Sequence, residues 1–209
     1  MDPSKTEIVV LGKGERPGAL DPQFIWVSGN PVLESELDKV RLSFAKTAII
    51  IGSRDTDPAM ADAATIMTLF TMKSFVAKER SYEKRETPLY IVAEILDPQN
   101  MAHAKTAGAD EIIETTRLGF AMMAHAATFP GSGKIMTGVA TGGAHSLYIS
   151  KNPENTMSFE ELYDLLHKKY KIILLRIKDN TTKEINMDPA NEVLVKDSMD
   201  IVYLAKQPL

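Results

Sequence analysis

Five short runs, Glu7–Leu11 (EIVVL), Phe24–Ser28 (FIWVS), Thr47–Ile51 (TAIII), Leu89–Ile95 (LYIVAEI) and Glu111–Thr115 (EIIET), are apolar almost without interruption. They do not alternate apolar with polar. Strands of that kind need cover on both faces, as in a parallel sheet flanked by helices. Helical stretches separate the runs. In residues 30–45, Leu33, Leu37, Val40 and Leu42 fall roughly on one face behind an Asn30-Pro31 start. Residues 57–80 open with Asp57 as N-cap and Pro58 at the first helical position. Residues 97–109 open the same way, with Asp97 and Pro98, and Gly108 follows the last turn as a C-cap. Strands alternating with helices predict a doubly wound α/β fold, Rossmann-like, with a parallel sheet. Glu94 then lies at the C-terminal end of a buried strand, where open α/β sheets place ligands.

The phosphate-binding start of such a sheet is missing. Gly12, Gly14 and Gly18 follow the first run, but only eleven residues separate Gly12 from Phe24, and Pro17 and Pro22 are among them. A helical crossover takes at least ~10–12 residues, and a proline in its middle would break it. The segment Pro130–Lys134 fails as a P-loop, because Thr128 stands where the first glycine belongs and Ile135 where Ser or Thr should follow the lysine. The sheet therefore reads as beginning at its second strand, with the first βα unit absent. Either the domain is cut, or another copy or chain supplies that strand to the edge at Glu7–Leu11.

From Arg117 the pattern changes. Residues 117–129 form a helix apolar around most of its circumference, ending at Pro130-Gly131, and residues 132–142 form a weaker one. A helix apolar all round needs covering, which points to packing on another subunit or lobe; ordinary core packing is the alternative. Beyond it, runs at 145–150, 171–177 and 199–205 around a helix at 158–170 predict a small α+β lobe. The boundaries are 7–116 for the Rossmann-like lobe, 117–143 for the joining helices and 144–209 for the C-terminal lobe.

Totals narrow the function. With 209 residues, a net charge of −4 and mixed charges, no basic stripe offers itself to nucleic acid. The absence of cysteine excludes disulfides and thiolate chemistry and fits a reducing cytosol. No run approaches the ~18 apolar residues of a membrane span, and the N-terminus lacks a signal-peptide layout. A soluble intracellular chain is the expectation, with a membrane segment still able to lie outside it. His103, His125, His145 and His167 show no ligand spacing, and no Ser–His–Asp or paired-carboxylate set can be argued. A nicotinamide-dependent oxidoreductase would need an intact glycine loop and a catalytic Tyr, Lys or His at the strand ends. Neither is found, so the chain is expected not to be an enzyme.

The block Ile91–Gly131 (IVAEILDPQNMAHAKTAGADEIIETTRLGFAMMAHAATFPG) resembles the RCK domain, the regulator of K⁺ conductance related to Trk-type (TrkA) NAD-binding subunits. Phe24–Asp57 is similar to that family's third strand, turn, helix and fourth strand. Lys171–Pro208 is similar to its C-terminal lobe, with an I-x-x-x-P turn and a late Asp before the last strand. The resemblance implies a cytosolic gating-ring domain of a potassium channel, sitting at the cytosolic face of the membrane beneath a pore domain and assembling with other RCK subunits, dimer to octamer. A soluble NAD-binding regulatory subunit of a Trk-type transporter is the alternative. The resemblance to RCK domains implies that residues 117–143 are the crossover, with Leu118, Phe120, Met122, Met123 and Phe129 as oligomer contacts, and that Met67, Phe70 and Met72 line a neighbouring subunit, burial within their own lobe being the alternative. A ligand would sit among Asn30, Gly52, Ser53, Arg54, Asp55 and Glu94. Its identity stays open between a nucleotide such as NAD or ADP and a cation such as Ca²⁺.

Departures from the family bear on that site. Asn30 stands where an Asp near the adenine is usual. The three carboxylate positions of calcium-gated members read Gly52, Glu94 and Leu96 here. Asp55 and Asp57 could join Glu94 around a hard cation, which wants several oxygen ligands. Against that stand helix capping by Asp57, solvation, and an ion pair of Arg54.

Overall fold

The computed structural model describes residues 7–78, 87–143, 145–180, 185–186 and 189–209. The boundary residue Ala144, the helix end at 79–80 and part of the I-x-x-x-P turn lie outside them. The chain divides into two compact units, Met1–Phe120 and Ala121–Leu209.

In the first unit the apolar runs become five strands: β1 (Val9–Gly12), β2 (Ile25–Ser28), β3 (Thr47–Ile50), β4 (Tyr90–Glu94) and β5 (Glu111–Ile113). All pair in parallel, but in two separate groups. β1 pairs with β2, whereas β3, β4 and β5 form a sheet in that order. The helices between them are α1 (Glu34–Lys39), α2 (Pro58–Lys78) and α3 (Met101–Ala107). The fold is thus the α/β, Rossmann-like parallel architecture that the uninterrupted apolar runs require.

Sequence spacing explains the packing of α2. Ala61, Thr65, Thr68, Leu69, Met72, Phe75 and Val76 recur at helical intervals and are buried. Of these, Leu69, Met72, Phe75 and Val76 form one core with Leu37 of α1, Ile91 and Ala93 of β4 and Ala104 of α3. Met72 belongs to this core, whereas Met67 and Phe70 on the same helix are exposed. α1 is shorter than its sequence suggests. It begins only after Leu33, whose extended backbone offers no side-chain cap, and the left-handed Arg41 stops the chain before a short 3₁₀ turn at Leu42–Phe44. Capping elsewhere follows the sequence: Asp57 Oδ1 accepts from the Ala59 amide at 2.9 Å, and Asp97 Oδ1 from the Gln99 amide at 2.9 Å.

The second unit contains most of α4 (Thr115–Thr128), which begins in the first, then α5 (Ser132–Ala140), β6 (Ser146–Lys151), β7 (Met157–Ser158), α6 (Phe159–Tyr170), β8 (Ile173–Lys178), β9 (Ile185–Asn186), β10 (Leu194–Val195) and β11 (Asp200–Ala205). An antiparallel sheet runs β6-β11-β8-β9, and β7 pairs with β10. Helix α6 starts on a capping box between Ser158 and Glu161 and buries Leu162 and Leu166 against Leu174, Ile177, Ile201 and Tyr203. The opposite face of that sheet carries Leu147 and Ile173 on either side of Leu204, and both flanking residues are exposed. Among the described residues, no helix is long and apolar enough to cross a membrane.

Gly108 ends α3 in the left-handed region at φ 107°, and a Cβ there would meet the Lys73 side chain at 2.5 Å. Gly108→Ala is therefore expected to cost about 1–2 kcal/mol. Urea denaturation checks it, and an unchanged midpoint would contradict this account of the turn.

Candidate functional site

β3, β4 and β5 run in parallel, so their C-terminal ends come together. Glu94 ends β4 and is only 7% exposed. A carboxylate so buried must be matched by donors, because its desolvation would otherwise favour the neutral acid. Three donors reach it. The Gly52 amide, just past β3, donates to Oε2 at 3.0 Å. Arg54 Nη2 donates to Oε1 at 2.5 Å, and Thr115 Oγ1, in the first turn of α4, donates to the same oxygen at 2.5 Å. Burial pushes the Glu94 carboxyl up, but the hydrogen bonds from Thr115, Arg54 and Gly52 together outweigh it and hold the group below the ordinary glutamate value.

Among the residues that the sequence singles out, the structure brings Gly52, Arg54 and Glu94 together, and the ion pair of Arg54 is with Glu94. Ser53 Oγ accepts the Asp55 amide at 3.2 Å, a local turn beside the cluster. Asp57 is occupied in capping α2. Asn30 closes its own turn, accepting the Val32 amide at 3.4 Å. Among the described residues, no group of three or more His, Asp or Glu side chains gathers as a metal site, so Asp55, Asp57 and Glu94 are not assembled around a cation. The chemistry of Glu94 agrees: with three donors already on its oxygens, a cation would have to displace the Arg54 guanidinium.

Sequence reasoning misses Asp62. It lies on α2 with no exposed surface, and its carboxylate accepts from the Leu96 amide at 2.8 Å, the Asp97 amide at 2.9 Å and Asn100 Nδ2 at 2.9 Å. These donors belong to the segment that follows β4, so Asp62 fixes the exit of the strand that carries Glu94. Its one sequence signal is a lone acid among small apolar residues on the core-facing stripe of a helix. Thr115 is the second omission, since nothing local marks it as a partner of a residue 21 positions earlier.

On α4 no residue is buried. Leu118, Phe120, Met123 and Phe129 are 54%, 65%, 60% and 58% exposed, and Met122 is half-buried. His125 stacks obliquely on Phe129 at 4.9 Å and its Nδ1 lies 3.1 Å from Ser132 Oγ, which ties the end of α4 to α5.

Three comparisons bear on this arrangement. Residues 4–112 match the family described as the calcium-activated potassium channel slowpoke-like RCK domain. The calcium-gated potassium channel TvoK of Thermoplasma volcanium is 23% identical over 133 residues, which is 62% of this chain and 35% of that protein. The chain thus spans about a third of the length of the curated relative it matches. Among solved structures, the human SLO3 gating ring superposes with a TM-score of 0.69 at 18% identity, over 97% of this chain and 40% of the other. That likeness is one of fold.

Two variants test the strand-tip cluster. Asp62→Ala leaves three donors unmatched and is expected to destabilise the chain by about 3 kcal/mol in urea denaturation. A loss near zero would contradict its role. For Glu94, the lowered pKa means that its ionised form contributes stability at neutral pH, and that this contribution fades as pH falls through the acid side of the glutamate range. The stability gap between wild type and Glu94→Gln should therefore narrow on acidification. A gap independent of pH would contradict it.

Proposed function

We propose that this chain, which belongs to the slowpoke-like RCK domain family of calcium-activated potassium channels, is a regulatory module of a potassium channel, a binding and assembly domain with no catalytic task. Copies of it associate on the cytosolic side of the membrane, and a ligand held at the strand tips biases their arrangement and so the pore. Gating is a shift between assembled states, so a ligand acts only through a difference in its affinity for them.

The observation that carries this reading is the hydrogen bond from Thr115 to Glu94. Thr115 opens the helix that presents Leu118, Phe120, Met123 and Phe129 unpartnered. Anything that recruits the Glu94 carboxylate competes with that bond, and anything that draws off the Arg54 guanidinium removes the other donor to the same oxygen, so either acts on the first turn of the helix through which copies would meet. A soluble monomer gains nothing from displaying such a helix, whereas an isologous contact would bury it. The exposed Leu147, Ile149, Ile173 and Leu175 of the second unit's sheet supply further apolar surface for association.

The ligand is a small polar molecule or ion able to engage Arg54 or Glu94. A nucleotide would find the guanidinium and the Gly52–Arg54 backbone at the strand tips, whereas a cation would have to take Glu94 from its present donors. The first binding mode disturbs less, and on that ground an anionic ligand such as ADP or NAD is preferred over Ca²⁺.

Light scattering after size exclusion tests the assembly. The chain at micromolar concentration should exceed the 23.1 kDa of one protomer, and Phe120→Asp combined with Met123→Glu should return it towards one protomer with an unchanged circular dichroism spectrum. A strictly monomeric wild type would overturn the reading. In the same preparation, ADP, NAD and Ca²⁺ are compared by thermal shift, because a ligand of the native state raises the midpoint by mass action. ADP or NAD should do so in wild type and much less in Arg54→Ala. A midpoint raised by Ca²⁺ alone would overturn the preference for an anion.

A further inference from the structure

The antiparallel sheet of the second unit has an open edge. β6 pairs with β11 on one side, and among the described residues no strand lies on its other side. In an antiparallel pair, successive residues turn their amide and carbonyl groups alternately towards the neighbour and away from it. The Asn152 amide donates to the Met199 carbonyl at 2.9 Å, which sets the parity. Ser146, Tyr148 and Ser150 bond to β11, whereas Leu147, Ile149 and Lys151 turn their backbone groups outward. Ser150 Oγ donates to the Lys151 carbonyl at 3.3 Å, a bond from the adjacent residue that leaves the outward amides as they are. An edge of this length, without proline, is a template for another strand.

Side chains along the edge narrow what fits there. Tyr148 packs on the core of this unit, while Leu147 and Ile149, on the other face of the strand, are 51% and 55% exposed. Beside the start of β6 a cleft of about 680 Å³ is walled by Ile135, Met136 and Val139 of α5 and by Leu147. That volume is in the range of ligand sites, enough for side chains of a short segment. A small apolar molecule would fill the cleft but leave the outward backbone groups unpaired, and a helix has no free backbone groups to give. A strand meets both needs. Charge then separates one strand from another. Lys151 is exposed and is the one charged side chain of β6. The edge of a second copy would bring no acid to it, because β6 contains none. Opposite a carboxylate, by contrast, it gains a favourable cross-strand pair.

We propose that β6 is a strand-addition site for another polypeptide. An extended segment of about five or six residues docks antiparallel to it, continuing the alternation of the existing sheet. Its chemistry follows from the edge: an acidic residue opposite Lys151, and apolar residues opposite Ile149 and Leu147, the latter entering the cleft beside α5. The two residues between them lie on the face of Tyr148 and Ser150, where small polar side chains such as threonine fit. Backbone bonds to Leu147, Ile149 and Lys151 supply the hold, and the cleft and the lysine supply the selectivity. The inference rests on the second unit alone and is independent of the potassium-channel reading.

Two capped hexapeptides, Glu-Thr-Val-Thr-Val-Thr and the same sequence with Lys in place of Glu, test it on the 209-residue chain. Amide exchange is followed by NMR at single residues. With saturating Glu peptide, exchange at Leu147, Ile149 and Lys151 should slow at least fivefold, while Tyr148 and Ser150, already bonded to β11, stay as they were. The Lys peptide should bind about fivefold more weakly. Methylating the peptide nitrogens that face β6 should abolish binding. Ile149→Pro removes an outward donor at an edge, where proline is tolerated, so it should keep the circular dichroism spectrum and lose the peptide. If that variant fails to fold, the methylated peptide still decides the matter. Equal affinity for the two peptides, no binding at millimolar concentration, or protection without the alternation would overturn the proposal. So would protection of the three amides before peptide is added, by a second copy if it grows with protein concentration and by the chain itself if it does not. None of these readouts involves α4 or the strand tips, so their failure is distinguishable from failure of the channel reading.

Discussion

The Glu94 carboxylate is the point on which the first unit turns. A charge at the buried end of a parallel strand stays ionised only if the surrounding backbone and side chains aim donors at it. Here those donors come from the segment after β3, which supplies the Gly52 amide and the Arg54 guanidinium, and from the first turn of α4, so meeting the electrostatic need of one residue ties two other parts of the chain to the end of β4. Asp62 does the same from the other side, holding the backbone that leaves β4. Two acids, one at a strand end and one on a helix, define where the chain can go after its central buried strand. Strand tips in such sheets are where ligands bind, and the same residues that fix the geometry are therefore those a ligand would compete for.

How far this could be read from the sequence depends on the range of the interaction. Local signals are legible. The uninterrupted apolar runs give the parallel strands, Asp57 and Asp97 give the caps, Gly108 gives the left-handed stop, and the run Tyr90–Ile95 puts Glu94 at a strand end. Interactions across 20 or more positions are not. Nothing near Asp62 says that its acceptors face the segment after β4, 34 residues on, and nothing near Thr115 names Glu94. The shortness of α1 shows local propensity yielding to its surroundings: the apolar spacing over 30–45 is helical, but the extended backbone at Leu33 and the left-handed Arg41 leave only Glu34–Lys39 in the helix. Adjacency in sequence and at strand ends is likewise not convergence of side chains: among the described residues no three of His, Asp or Glu gather as a metal site, Asp55, Asp57 and Glu94 included.

Both units leave apolar residues uncovered. Ile49 and Ile51 lie beside an interrupted sheet, and Leu118, Phe120, Met123 and Phe129 lie along a helix without a buried residue. The first set lies on β3 and immediately after it. The second offers side chains alone, which a twofold-related copy can satisfy. The Glu94–Thr115 bond links the strand-tip cluster to the start of α4.

That link is the central claim, and the self-association constant of Thr115→Val tests it most directly. Sedimentation velocity on the variant and the wild type should give constants that differ several-fold, with no further change when Thr115→Val is placed in a Glu94→Ala background, since two groups that act through one bond do not add. Identical constants for wild type and Thr115→Val would mean that the strand tips and the helix are independent, and the account would fail.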